Sequence, residues 1–179
     1  ELTEEERAKG IITASAGNHA QGVSYASRAF KAPCTIVMPE TTPLIKIESA
    51  KEKGANIVLF GASYDEAYNK ALSISKETGA TFVHAYDDYG VIYGQGTIAL
   101  EMLAEIPDLD EIIVPIGGGG LISGIALAAK AIKPSIRIIG VEPEGADSMS
   151  RSLAKGEITV LDRCQTCAEG VAVKKVGEN

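Results

Sequence analysis

Residues that build disulfide frameworks and metal centres are scarce in this chain. Its 179 residues include three cysteines and two histidines. An odd and small number of cysteines excludes a disulfide scaffold and predicts a reducing, cytoplasmic setting. Cys164 and Cys167 form a C-x-x-C, but no strand followed by a helix cap precedes them, and His19 and His84 lie far away in sequence. Two incidental thiols describe the pair better than a redox or zinc motif. Positive charge is also in deficit, with 17 Lys and Arg against 24 Asp and Glu and a net charge of −7. That balance argues against partners bound through sequence-independent contact with nucleic acid or anionic lipid. No apolar run reaches the roughly 18 residues of a membrane span. The opening stretch ELTEEERAKG is acidic and lacks the apolar core of a secretory signal. Internal repeats and low-complexity segments are missing as well. What remains is ordinary globular material, 45% apolar and 23% charged, which opposes disorder. A chain of this size buries roughly 70% of its unfolded surface.

Short β-branched runs alternate with amphipathic stretches along the chain. Strands are expected at 11–14, 35–38, 56–60, 81–83, 111–116 and 136–141. Helices are expected at 20–30, 43–53, 63–78, 95–104, 121–132 and 147–153. Ser63 opens one helix and Gly79 closes it, and Glu4-Glu5-Glu6 reads as a solvated first helical turn. This rhythm, with strands apolar on both sides, predicts an α/β fold of open, mostly parallel twisted sheets flanked by helices. The weakest pattern lies at 86–94, where Asp87, Asp88, Gly90 and Gly94 cluster. It places a boundary between two lobes, 8–88 and 89–179.

Two strand-to-helix loops carry the functional signal. Gly117-Gly118-Gly119-Gly120-Leu121 follows an apolar strand and opens a helix. With no side chains in the way, its backbone N–H groups and the positive end of the helix dipole make a phosphate cradle. The alternative is a flexible turn. A P-loop requires Lys-Ser/Thr after the last glycine, where Leu121-Ile122 stand, and neither register gives G-x-G-x-x-G. Ser15-Ala16-Gly17-Asn18-His19-Ala20-Gln21-Gly22 also joins a strand to a helix. Its amides, hydroxyl, carboxamide and imidazole suit a small carboxylate. The plainer reading makes Ser15 or Asn18 a helix cap and His19 a structural histidine. Together the loops predict a phosphorylated cofactor meeting an amino-acid substrate, beyond the C-terminal ends of parallel strands.

The two loops, with Ile36-Val37-Met38-Pro39, Lys46, Gly94-Gln95-Gly96-Thr97, Gly140-Val141-Glu142-Pro143 and Ala168-Glu169-Gly170-Val171-Ala172-Val173, resemble the threonine/serine dehydratases. These are pyridoxal-phosphate enzymes of the tryptophan-synthase-β-like fold (fold type II). The resemblance runs from Leu2 to the end. It implies a small asparagine-loop domain over 8–88 and part of the large cofactor-binding domain over 89–179. It implies that Ser15, Asn18 and His19 hold the substrate carboxylate and that Asn18 meets the phenolic oxygen of the cofactor. Gly117, Gly118, Gly119, Gly120 and Leu121 would hold the phosphate of pyridoxal phosphate, with Gly170 near its ring. The implied reaction is β-elimination of water from threonine or serine, giving 2-oxobutanoate or pyruvate and ammonia, in a homo-oligomeric parent enzyme.

Local residues narrow the resemblance. Cysteine synthases usually carry Thr at the position of His19 and a Gly-Thr-Gly-Gly-Thr phosphate loop. Serine racemases tend to carry a second hydroxyl at the position of Ala16, and a methyl cannot return a proton to carbon. The divalent-cation site of some relatives would fall around Glu142 and Ala146, but its last acid is replaced by Ser148, with Asp147 displaced by one; no metal site is expected. The Schiff-base lysine of the family, in a Ser-Phe-Lys-like motif, is expected upstream of Glu1, and Lys46, Lys51 and Lys53 carry no catalytic role. The chain is therefore expected to be an internal fragment, inactive alone, with the large lobe incomplete. A non-catalytic module binding a phosphorylated small molecule is the competing expectation, and a serine racemase relative is another.

Overall fold

The computed structural model describes residues 2–179. The chain divides into two compact units, Glu1–Ala85 and Tyr86–Asn179.

The first unit carries a four-stranded sheet of β1 (Ile11–Ala14), β2 (Cys34–Met38), β3 (Asn56–Leu59) and β4 (Thr81–Phe82), in the order β3-β2-β1-β4. Every pairing is parallel, with Ile11 opposite Cys34 and Thr81, and Thr35 opposite Asn56. Its helices are α1 (Glu4–Lys9), α2 (Asn18–Ala29), α3 (Leu44–Glu52) and α4 (Tyr64–Thr78). Both faces of the sheet are covered. Ile11, Cys34, Ile36 and Met38 pack with Ala20, Val23, Ile47 and Ala50 of α2 and α3. Ile12, Ala14 and Val37 pack with Ala67 and Ala71 of α4. β1 is buried throughout, the reason its sequence is a continuous apolar run rather than an alternation. Capping boxes open α1 (Thr3 with Glu6) and α4 (Ser63 with Glu66), and Gly79 closes α4 in the left-handed conformation.

The second unit holds a parallel pair, β5 (Glu111–Pro115) and β6 (Arg137–Val141), with Glu111 opposite Arg137. Its helices are α5 (Tyr89–Glu105), α6 (Gly120–Ile132) and α7 (Ser148–Lys155). Ala99, Leu103, Ile112, Val114, Ile125, Ala129 and Ile136 form its core. Among the described residues no helix is long and apolar enough to cross a membrane.

One boundary differs clearly from expectation. The glycines at 86–94 predict a loop and a helix starting at Gln95, yet α5 starts at Tyr89. The Asp88 carboxylate accepts the Val91 N–H at 3.1 Å and caps the helix there. Gly96 lies against Gly124, where a β-carbon would stand 3.0 Å from the Gly124 carbonyl. Close helix contact offsets the cost of glycine in a helix, about 1 kcal/mol each.

Candidate active site

In the first unit the site residues sit where β1 runs into α2. Ser15 is buried, and its N–H donates to the Val37 carbonyl (3.2 Å), extending the β1–β2 ladder by one residue. The Ser15 hydroxyl oxygen accepts the Gly17 N–H at 3.2 Å. Gly17 is the N-cap of α2 and provides no side-chain acceptor. The Gln21 N–H returns to the Gly17 carbonyl, which leaves the amides of Asn18, His19 and Ala20 as the unsatisfied donors of a helix start. Asn18 is exposed.

His19 does not follow Asn18 outward. Its Nε2 lies 3.0 Å from the Thr13 hydroxyl and 3.2 Å from the Val83 carbonyl, at the ends of β1 and β4. Burial holds the imidazole below its ordinary value, against the opposing effect of the Val83 carbonyl, and His84 adds to the lowering. Nε2 is thus engaged inside the unit, as the structural-histidine reading has it, and the backbone N–H is what His19 offers the loop.

In the second unit the glycine loop follows β5. Gly119 is the N-cap of α6 with φ +98°, and the helix has no side-chain cap. Each glycine has its own packing reason. A β-carbon at Gly118 would overlap the Tyr86 ring, one at Gly120 would stand 2.5 Å from the Tyr86 carbonyl, and one at Gly117 would lie 3.1 Å from the Val171 Cα. The Tyr86 hydroxyl donates to the Lys175 carbonyl (3.2 Å), and the Gly177 N–H donates to the Gly118 carbonyl (2.8 Å). One Asp87 carboxylate oxygen accepts the N–H groups of Glu178 (3.0 Å) and Asn179 (3.1 Å). Gly170 is exposed in a short 3-10 turn, Glu169–Val171, beside Gly117 through Val171. The unit brings the turn holding Gly170 beside the Gly117–Leu121 loop through Val171. It adds Tyr86, Asp87 and Gly177, which the sequence did not flag. The only local signal for Tyr86 and Asp87 is a Tyr-Asp-Asp run a few residues after β4, and Gly177 has none.

The remaining candidates are engaged elsewhere. Both Glu142 carboxylate oxygens receive donors from the start of α7, the N–H groups of Met149 and Ser150 (2.8 Å each) and the Ser150 hydroxyl (2.7 Å). Asp147 pairs with Arg151 Nε at 2.8 Å, which holds its carboxyl below the usual range. Lys53 Nζ donates to the Ser49 carbonyl and hydroxyl. Cys34 is a buried thiol pushed up by that burial, against a lowering contact from Ser27; Cys164 and Cys167 are free thiols in an irregular segment.

Residues 1–179 match the family described as pyridoxal-phosphate dependent enzyme. The chain belongs to that family. It is 49% identical over 177 residues to the L-threonine ammonia-lyase of Thermotoga maritima, covering 99% of this chain and 44% of that protein. It therefore spans less than half the length of that relative. The processed form of threonine deaminase isoform 2 from Solanum lycopersicum superposes with a TM-score of 0.96 at 48% identity, over 99% of this chain and 49% of that one. Maize serine racemase superposes with a TM-score of 0.95 at 44% identity, over 99% of this chain and 54% of that one.

The glycine loop fits the family's cofactor phosphate on its own geometry. Gly119 and Gly120 are buried. No backbone or side-chain acceptor among the described residues takes the N–H of Gly119, Gly120 or Leu121. Buried amides without acceptors are costly unless a ligand receives them. Several such donors at the start of a 13-residue helix suit an anion.

Proposed function

We propose that this chain is the part of a threonine/serine dehydratase that holds the cofactor phosphate and the substrate carboxylate. The observation that carries the reading is the set of acceptor-free amides at Gly119, Gly120 and Leu121, in a chain 49% identical to a threonine ammonia-lyase. Pyridoxal phosphate, when bound, supplies the electron sink for loss of the Cα proton and departure of the β-hydroxyl as water.

The chain's own groups bind and orient. The amides of Gly117–Leu121 receive the phosphate, and Gly170 leaves room beside the cofactor ring. The Asn18 carboxamide meets the phenolic oxygen. The Ser15 hydroxyl accepts from the Gly17 N–H, so its own proton is available to the substrate carboxylate, joined by the amides of Asn18, His19 and Ala20. The reading assigns no lysine of this chain to covalent attachment of the cofactor, and the parent enzyme is expected to be a homo-oligomer. Ala16 favours dehydration over racemisation, because its methyl holds no proton to return to carbon.

Assaying the holoenzyme with L-threonine and L-serine tests this. The expected products are equal amounts of a 2-oxoacid and ammonia. Accumulation of the D-amino acid without oxoacid would overturn the assignment.

A further inference from the structure

We infer that Thr13 is a positioning residue for the Ser15–Ala20 loop: its oxygen, with the Val83 carbonyl, receives the Nε2–H of His19 and holds that side chain in place. The proton count around Thr13 requires that hydrogen on Nε2. Thr13 is fully buried, and its hydroxyl donates to the Val83 carbonyl at 2.7 Å. A hydroxyl has one proton, and that contact takes it. The same carbonyl lies 3.2 Å from His19 Nε2. A carbonyl only accepts, so Nε2 must bring a hydrogen. That N–H also reaches the Thr13 oxygen at 3.0 Å, which still has lone pairs. Both contacts are satisfied with Nε2 protonated, and Nδ1 keeps the lone pair.

The latch has a mechanical consequence. Gly17 gives α2 no side-chain cap, so the first turn lacks the usual anchor. His19 lies in that turn and ties it to the ends of β1 and β4. The Val83 end is itself fixed, since its N–H donates to the Ile12 carbonyl at 2.9 Å. The amides of Asn18, His19 and Ala20 are thereby held in one orientation, which rests on the carboxylate reading for its use. The titratable neighbour is His84, whose ring lies 5.9 Å from that of Tyr68 on α4.

Nitrogen-15 NMR of the labelled chain tests the latch without cofactor. Two histidines make assignment direct, with His84→Gln leaving His19 alone. At neutral pH the expected spectrum has Nε2 at the protonated and Nδ1 at the unprotonated position. Thr13→Ser keeps that pattern. Thr13→Val removes the hydroxyl but not the Val83 carbonyl, so Nε2 stays protonated while its resonance shifts with the lost contact. The acetate dissociation constant read from the Asn18–Ala20 amides rises roughly fivefold, the effect of one lost hydrogen bond. A wild-type Nδ1–H tautomer overturns the proposal, as does a Thr13→Val protein that matches wild type in both readouts. If Thr13→Val does not fold, the wild-type tautomer and the Thr13→Ser spectrum decide. If the tautomer is as described but acetate moves no loop amide in wild type, the latch stands and the carboxylate reading fails.

Discussion

Tyr86 explains why Gly118 and Gly120 carry no side chain. A β-carbon at either position would press on its ring or backbone. Gly118→Ala is therefore expected to lose about 1–3 kcal/mol of stability by overpacking. Adding Tyr86→Ala should return part of that loss, a coupling that a double-mutant cycle in urea measures. His19 gives the second residue-scale prediction. Its folded value lies below the ordinary 6.5, chiefly because burial disfavours the charged ring. As pH falls, the unfolded chain takes up this proton first. Stability then drops as pH passes down through about 6.5 and levels once the folded ring is also protonated. His19→Gln should remove that part of the slope in denaturation midpoints taken across pH 5–8. The loop residues themselves were legible, because Gly117–Gly120 and Ser15–Asn18 stand between a strand and a helix. Tyr86, Thr13 and Val83 were not. They act through contacts that fold far-separated positions together, and no local pattern announces such contacts.

Helices α5 and α6 show where element-level reading works and where it stops. A β-carbon at Gly124 would overlap the Ile92 carbonyl and lie 2.7 Å from the Gly96 amide. Gly124→Ala must push the two helices apart, at an expected cost of about 2 kcal/mol or more. Gly94 lies in the same helix α5 with open space at its β-carbon. Gly94→Ala should instead stabilise by roughly 0.5–1 kcal/mol, since alanine loses less backbone entropy there. Thermal or urea unfolding of the two variants gives opposite signs if the packing account holds. In sequence, Gly90 and Gly94 look like loop punctuation, which is why the pattern puts the start of α5 at Gln95. The partner that makes glycine useful at 96 is another glycine 28 positions on, and only the fold reveals it. By contrast Ser63 and Gly79 bracket α4 with local chemistry, and both of its ends were readable.

Two units, each with a parallel sheet and a strand-to-helix loop, make up the molecule. The alternation of β-branched runs with amphipathic stretches was enough to predict parallel sheets flanked by helices; β1 is buried on both faces and leaves a continuous apolar run, whereas β5 is buried at alternate residues only. The order β3-β2-β1-β4 was not legible, because pairing partners depend on crossovers rather than on any strand's own composition. At this scale the account depends on the start of α6 receiving a phosphate. Phosphorus-31 NMR of pyridoxal phosphate titrated with the chain, alongside the amide spectrum, tests that most directly. The expected result is a saturable phosphorus shift with coincident movement of the Gly118–Leu121 amides, suppressed by inorganic phosphate and not by pyridoxal. A titration that leaves those amides unmoved, or moves only amides elsewhere, would contradict it.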